Sequence, residues 1–222
     1  MSEISRVGMV GLSFDDGPNA ENTLPVLNTL GQHKAQATLF WLVDNARALK
    51  KEDPPLFAEV MDKVRRDGHE IGYHGPSDFV PTFRDRTIGR FNATELRNGR
   101  EELEEIIEQP VALYRPHFVG GLATMIHAAQ MGLTIIAGDA TAFALPDDDI
   151  EHQIERFSQA NERSIIVFHD GTSATTPQTH ITKVLPPVLE TLARRGLKFT
   201  KVSSLGKYAK LPYQLIFQHF RR

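Results

Sequence analysis

Ionisable side chains follow several short apolar runs of the sequence, each at the point where the run ends. In chain order they are Asp15-Asp16, His74 with Asp78, Arg115, Asp139 and His169-Asp170. One carboxylate, one imidazole and one further oxygen or nitrogen ligand make a three-ligand zinc site that leaves a position open for water. A second carboxylate can take a proton from that water, and a separate histidine can protonate a leaving amine. These residue types therefore indicate metal-assisted hydrolysis of an acyl group.

Each of these groups also has an ordinary structural interpretation. Asp16-Gly17-Pro18 is good turn chemistry, and His74 alone is typical of a hydrogen-bonded buried histidine. Arg115 alone fits an ion-paired loop, and His169-Asp170 alone fits a helix cap. The doubled carboxylate fits less easily, because like charges held close together cost stability unless a cation is near. Five such coincidences at the ends of five strands are less expected than a single functional site that uses all five groups.

The elements that must position these groups are short strands alternating with helices. The apolar runs are Val7–Phe14, Ala37–Val43, Glu70–Tyr73, Val111–Tyr114, Leu133–Ala137, Ser164–Phe168 and Leu197–Val202. Helical stripes lie between them, beginning near Leu24, Leu56, Thr94, Leu122, Asp149 and Ile181, and Pro186-Pro187 predicts a kink or a later start in the last. Alternation of this kind predicts a parallel α/β fold, either a barrel or an open doubly wound sheet. In both, the carboxyl ends of the strands share one face, where active sites form.

The composition narrows the class of protein. The 222 residues suffice for one sizeable domain, and the formal charge of -3 without a polybasic block gives no reason to expect a nucleic-acid partner. There is no cysteine, which excludes thiolate metal sites and a cysteine nucleophile. No window is long and apolar enough for a membrane span, and the polar start Met1–Ser5 lacks a secretory signal. We therefore expect a cytoplasmic location.

Two motifs resemble those of a known family. Ser13-Phe14-Asp15-Asp16-Gly17-Pro18 and Gly68-His69-Glu70-Ile71-Gly72-Tyr73-His74 are similar to motifs of the polysaccharide deacetylases of carbohydrate esterase family 4, which share the nodulation-factor deacetylase homology domain. The resemblance runs from the first strand to about Leu205. It implies a distorted (β/α)7 barrel, similar to a TIM barrel, over residues 1–206. Residues 207–222 would then form a C-terminal tail, packed on the domain or mobile.

The resemblance also implies roles for the residues. Asp15 would be the catalytic base and Arg115 the partner that keeps it charged. Asp16 and His74 would bind a divalent metal, most simply Zn²⁺, with Co²⁺ or Mn²⁺ as alternatives. The remaining roles fall on three residues: His169 as general acid, Asp139 as the residue that orients His169, and the backbone N–H of Phe118 as oxyanion donor.

The sequence departs from the family pattern at three places. The second metal-binding histidine of the family is Asp78 here, and because aspartate is a competent zinc ligand we predict the set Asp16, His74 and Asp78. The third motif contains His117, interpreted as a substrate contact or an exposed residue. The fourth motif usually ends in Asp-Trp but has Ala142-Phe143, which predicts an altered sugar-facing wall.

The predicted function is removal of N-acetyl groups from a carbohydrate or aminosugar. Two alternatives stay open at this point: a catalytically impaired carbohydrate-binding relic, and a deformylase acting on a formylated, lipid-linked or soluble sugar. The aromatic and basic tail either docks on its own domain or contacts a membrane surface.

Overall fold

Seven parallel strands form one sheet in the computed structural model, which describes residues 8–117, 121–138, 149–173 and 179–208. They are β1 (Met9–Gly17), β2 (Thr38–Leu42), β3 (Glu70–Gly75), β4 (Leu113–Tyr114), β5 (Thr134–Ile135), β6 (Ile165–His169) and β7 (Lys198–Thr200). Each coincides with one of the apolar runs of the sequence. Runs of this kind, apolar on both faces, are typical of parallel strands because such sheets are covered on both sides. The predicted parallel α/β fold is confirmed.

The sheet curls into a half-barrel, and the expected distorted barrel is thereby confirmed. Its strand order is β5-β4-β3-β2-β1-β6, and β7 pairs with the first residues of β1. The convex face packs under the helices in one large core that includes Leu12 and Phe14. The concave face holds a smaller cluster that includes Phe40, Ile165 and Leu205. With apolar residues filling the inside of the curl, the polar side chains collect at the carboxyl ends of the strands.

Helices connect the strands across the convex face. They are α1 (Thr23–Gln32), α2 (Val43–Glu52), α3 (Pro54–Asp67), α4 (Phe83–Thr87), α5 (Ala93–Ile107), α6 (Leu122–Gln130), α7 (Ile150–Ser158) and α8 (Ile181–Arg194), followed by a 3₁₀ helix over Val202–Tyr208. The apolar periodicity of the sequence predicts all of these except α2, α4 and the 3₁₀ helix. No helix in the described ranges is long and apolar enough to cross a membrane.

One local expectation for the helices was wrong, and the alternative of a later start for the last helix is not observed. Thr94, predicted as the start of this helix, lies inside it, because the cap of α5 is Asn92: the Asn92 side chain accepts hydrogen bonds from the backbone N–H groups of Thr94 and Glu95, and the Glu95 carboxylate accepts one from the Asn92 N–H. Helix α8 starts at Ile181 and runs through Pro186-Pro187. Its apolar face compensates for the missing backbone hydrogen bonds, because Val184, Leu185, Val188 and Leu189 are fully buried.

The predicted tail lies almost wholly outside the described residues, which end at Tyr208. The division into a domain over residues 1–206 and a tail over 207–222 therefore stays a prediction.

Candidate metal centre

A bulge at the end of β1 turns two consecutive carboxylates toward one place. Pairing with β2 runs from Asp15 opposite Phe40 to Gly17 opposite Trp41, so Asp16 is an extra residue that the ladder skips. Asp16 has a positive φ of 67°, a conformation that aspartate tolerates better than most side chains. In a regular strand successive side chains point to opposite faces, and a bulge is the ordinary way to re-aim one of them. Both Asp15 and Asp16 consequently reach His74.

A second bulge on β3 re-aims His74. Here pairing passes from Trp41 opposite Tyr73 to Leu42 opposite Gly75, which leaves His74 as the skipped residue. Gly75 follows with a φ of 141°, a backbone conformation that favours glycine. The two strands flanking β2 thus each end in a bulge, and each bulge presents one polar side chain to the same space.

The packing against the β1 turn explains why glycines flank it. A Cβ atom on Gly171 would lie 1.8 Å from the carbonyl oxygen of Asp16. A Cβ atom on Gly17 would lie 2.7 Å from the carboxylate oxygens of Asp170. Any side chain at either position would displace the turn, so the position of the Asp16 carboxylate depends on both glycines.

Asp16, His74 and His117 form a closed triangle of buried polar atoms. The Oδ1 atom of Asp16 lies 3.2 Å from Nε2 of His74 and 3.2 Å from Nδ1 of His117. The two ring nitrogens are 3.0 Å apart. All three residues are buried. Among the described residues, this group of three could hold a metal ion.

The outer hydrogen bonds of the two imidazoles orient their inner nitrogens toward the Asp16 carboxylate. Nδ1 of His74 lies 2.7 Å from the carbonyl oxygen of Arg115, and since a carbonyl only accepts, this nitrogen carries a proton, so that in the neutral ring Nε2 carries the lone pair. Nε2 of His117 lies 2.9 Å from Oδ1 of Asp78, which assigns the lone pair to Nδ1 in the same way. Outer partners of this kind are typical of metal-binding histidines.

The size of the triangle also fits a cation. Ligand atoms about 2.0–2.2 Å from a tetrahedral zinc ion are roughly 3.3–3.6 Å from one another. The observed separations of 3.0–3.2 Å are slightly shorter. The Oδ1 atom of Asp16 is buried without a hydrogen-bond partner, although two ring nitrogens lie close to it. A divalent cation is the group that would satisfy all three atoms at once.

Without a cation, the electrostatics of the triangle favour charged side chains. Burial raises the pKa of Asp16, but the nearby imidazoles of His117 and His74 outweigh it and lower that pKa far below its usual range. Burial lowers the pKa of His74, but the charges of Asp15 and Asp16 outweigh it and raise that pKa. Metal binding must therefore displace a proton, as it does at most histidine-containing sites.

The Asp15 carboxylate lies beside the triangle and has its own partners. Its Oδ1 accepts a hydrogen bond from Nη1 of Arg115 at 2.7 Å, and its Oδ2 is 3.9 Å from Nε2 of His74. The same Nη1 donates to Oγ of Ser13 at 2.8 Å, and the guanidinium lies 4.2 Å from the ring centre of Phe40. One oxygen of Asp15 is thus fixed by Arg115, while the other faces the triangle.

His169 and Asp170 reach the site from β6. His169 pairs with Asp15 in the β1–β6 register, so the two side chains come from adjacent strands at the same level. Asp170 is fully buried, and Thr23 donates a hydrogen bond to its Oδ2 at 2.5 Å. Burial raises the pKa of Asp170 to about 7, although the Thr23 hydrogen bond lowers it. Asp170 therefore supports the turn at Gly17 as a neutral acid at low pH.

The structure differs from the sequence prediction at the third metal position. Asp78 is not part of the triangle; it lies on the outer side of His117, bonded to Nε2. His117, interpreted from the sequence as a substrate contact or an exposed residue, is buried and supplies the third inward nitrogen. The physical reason is geometric, because the imidazole of His117 occupies the space between Asp78 and Asp16. The signal for this exchange was present in the sequence, as an extra histidine in one motif and a missing histidine in another.

Of the other predicted residues, Asp15, Asp16, His74, Arg115 and His169 are brought together. Phe118 and Asp139 lie outside the described residues, as do Ala142 and Phe143. The predicted oxyanion donor and the partner of His169 therefore stay predictions.

Comparison with known proteins gives the family. Residues 4–136 match the sequence model of the family described as polysaccharide deacetylase. The chain therefore belongs to the polysaccharide deacetylase family. Its buried Asp–His–His group is a possible site for a divalent metal.

Two curated relatives are peptidoglycan-N-acetylglucosamine deacetylases from Bacillus cereus. One is 34% identical over 110 residues, which are 50% of this chain and 34% of that protein. The other is 26% identical over 210 residues and aligns over most of both chains, 90% of this one and 89% of the other. The first match thus spans about a third of the relative's length.

Solved structures share the fold. A family 4 acetyl xylan esterase from Clostridium thermocellum, in complex with a cobalt ion, superposes with a TM-score of 0.72 at 19% identity, covering 92% of this chain and 99% of that one. A pseudoenzyme of carbohydrate esterase family 4 from Bacillus anthracis superposes with a TM-score of 0.68 at 16% identity, covering 90% and 66%. The fold is thus shared by a metal-containing esterase and by a pseudoenzyme, so the activity must be argued from the site.

Proposed function

We propose that this protein is a metal-dependent hydrolase that removes N-acetyl groups from a carbohydrate or aminosugar. The observation that carries the proposal is the triangle of Asp16, His74 and His117, with the free oxygen of Asp15 facing it. A triangle of metal ligands alone would indicate only a binding site, and a carboxylate alone would indicate only a base. Their juxtaposition in a chain of the polysaccharide deacetylase family supports hydrolysis.

The metal's contribution fits the ligands present. Asp16, His74 and His117 would hold a divalent cation, whose Lewis acidity would be available to an acyl carbonyl and to a water molecule. Zinc suits two imidazoles and a carboxylate, and cobalt or manganese would be accepted by the same atoms.

Asp15 is the proposed general base. Its Oδ1 is occupied by Arg115, which leaves Oδ2 to accept the proton of the attacking water. The charge-assisted hydrogen bond from Arg115 holds the carboxylate in place in a buried setting. Asp15 can therefore take a proton without moving.

His169 is the proposed general acid. It lies across the β1–β6 ladder from Asp15, so the acid and the base approach the reacting carbonyl from adjacent strands. Protonation of the leaving amine by His169 completes cleavage of the amide. The backbone carbonyl of His169 accepts a hydrogen bond from Thr179, which helps to hold the end of β6 in place.

The substrate class rests on the relatives. The two from Bacillus cereus are named as deacetylases of peptidoglycan N-acetylglucosamine, so N-acetylated amino sugars are the first substrates to test. A formylated sugar would be cleaved by the same chemistry and is the second candidate. The impaired relic is less well supported, because His117 supplies the nitrogen that Asp78 lacks.

The test is product release by the metal-loaded protein. Zinc, cobalt and manganese forms should each be incubated with a panel of N-acetylated and N-formylated oligosaccharides, and acetate and formate measured separately. We expect acetate from at least one acetylated substrate, with Asp15→Asn as the inactive control. Formate alone would reassign the acyl group. Turnover of neither class by any metal form would reject the hydrolase.

The cytoplasmic location stays a prediction of the sequence. Fractionation of the native host with an antibody to the full chain would check it.

A further inference from the structure

Exposed apolar side chains are concentrated beside the metal centre. Among the described residues, the large exposed hydrophobic side chains are Met9, Val80, Phe83, Ile88 and Leu122. All but Met9 lie on residues 79–91, here called the rim segment, or on Leu122, which adjoins it. Phe83 is 83% exposed, Val80 65% and Ile88 52%. Single exposed apolar residues need no explanation, but several of them on one short segment indicate an interaction surface.

The exposed charged side chains on the same surface are all positive. Arg84, Arg86 and Arg90 are exposed on the rim segment, whose one acidic residue is Asp85. The Asp85 carboxylate is buried and accepts hydrogen bonds from the backbone N–H and the hydroxyl of Thr82. Asp85 is thus engaged in capping α4. The outward face of the segment is therefore apolar and cationic.

The segment is held in this exposed arrangement by its own contacts. The capping box of Thr82 and Asp85 fixes the start of α4. The backbone N–H of Ala123 donates to the carbonyl of Ile88 at 2.8 Å, which ties the far end to α6. Phe79 and Phe91 meet edge to face with ring centres 5.5 Å apart. The apolar residues are presented by an ordered element.

The rim segment is continuous with the metal centre. The ring of Phe79 lies 5.3 Å from that of His117. Arg86, Arg90 and Phe91 line one recess together with His117. A surface bound by the rim segment would consequently lie next to the reacting groups.

We propose that the rim segment docks this protein onto an anionic lipid surface. Apolar side chains interspersed with arginines match the boundary between acyl chains and phosphate headgroups. A second copy of the chain fits this surface poorly, because a two-fold contact through it would bring the three arginines of one copy against those of the other. The docked orientation would place the metal centre at the membrane, where lipid-linked sugars are found. Docking does not depend on which acyl group the site removes.

The experiment is vesicle sedimentation of the full-length protein without substrate. Vesicles of phosphatidylcholine alone are compared with vesicles of phosphatidylcholine and phosphatidylglycerol in equal parts. We expect binding to the mixed vesicles that weakens with added salt. Arg84→Glu should weaken it roughly 30-fold, because a charge reversal removes one attraction to the headgroups and adds one repulsion. Phe83→Ser should weaken it about ten-fold through lost apolar burial.

Matched controls come from elsewhere on the surface. Arg194→Glu and Met9→Ser remove an exposed cation and an exposed apolar side chain from other elements, and both should bind as the unaltered protein does. Absence of binding to mixed vesicles would overturn the proposal. Full binding by both rim variants would also overturn it and would place the contact elsewhere, for example on residues 209–222. If light scattering shows an oligomer that the rim variants dissociate, the surface is an interface between copies and the proposal fails.

Discussion

The metal centre and the rim segment meet at His117 but are positioned in different ways. Asp16 and His74 lie on bulges of β1 and β3, inside a ladder that continues on both sides. The rim segment is held by the helix cap of α4, by the backbone hydrogen bond between Ala123 and Ile88 and by the ring contact of Phe79 with Phe91. The first arrangement fixes atoms to within the tolerance that a metal needs. The second fixes only a surface, which is sufficient for contact with something as variable as lipid.

The largest effect should come from the base beside the triangle. Asp15→Asn keeps the size of the side chain and its contact with Arg115 but removes the proton acceptor. We expect turnover to fall by about 10²–10⁴-fold while the metal content stays unchanged. Acetate release measures the turnover and elemental analysis measures the metal content. Asp62→Asn, which changes an exposed carboxylate, is the control. Loss of metal together with activity would mean that Asp15 is a ligand.

Removal of the His117 imidazole should show whether this residue binds metal or belongs only to the surface that it adjoins. We expect His117→Ala to weaken metal binding by more than about 100-fold, beyond the range for outer partners of a ligand. Calorimetric titration with zinc measures it, and His152→Ala, which changes an exposed histidine, is the control. Unchanged zinc affinity would mean that His117 is not a metal ligand, and its interpretation as a substrate contact would stand.

The buried acid behind the triangle should make stability depend on pH. In the native state burial raises the pKa of Asp170 to about 7, whereas an unfolded aspartate titrates near about 3.9. The stability from this group is therefore complete below about pH 4 and is lost as the pH rises through about 7. Between these values the free energy of unfolding should fall by on the order of a few kcal/mol relative to Asp170→Asn. Denaturant titrations in chelator measure it, and parallel pH profiles for the two proteins would contradict it.

Asp78 should have a smaller effect that passes through His117. Asp78→Asn removes the carboxylate that orients this ring, and we expect metal affinity to fall about 10–100-fold. The same substitution in a His117→Ala background should then add little to the loss of metal affinity, because the imidazole that Asp78 orients is gone. Additive losses would indicate that Asp78 contacts the metal itself, as the sequence analysis predicted.

The rim should show the smallest effect on chemistry. Phe83→Ser is expected to leave zinc affinity and turnover of a soluble oligosaccharide unchanged within measurement error. A clear loss of turnover on a soluble substrate would show that the rim segment also positions the sugar.

The sequence predicted most of what depends on periodicity. All seven strands were visible as apolar runs, and the residues after them predicted that Asp15, Asp16, His74, Arg115 and His169 would share one face. Helix α4 escaped prediction because a five-residue helix has no full apolar stripe. The exchange of Asp78 for His117 also escaped, because it depends on which of two side chains in different loops lies nearer to Asp16. Spacing along the chain does not contain that distance.

The bulges at Asp16 and His74 also have an evolutionary consequence. A ladder constrains the residues that it pairs, and these two residues are the ones that it skips. The sheet can therefore persist while the groups at its bulges and in the loops above them differ, and here those loops carry Asp78 and His117. In such a scaffold, inheritance of the fold and inheritance of a particular ligand set are separate events.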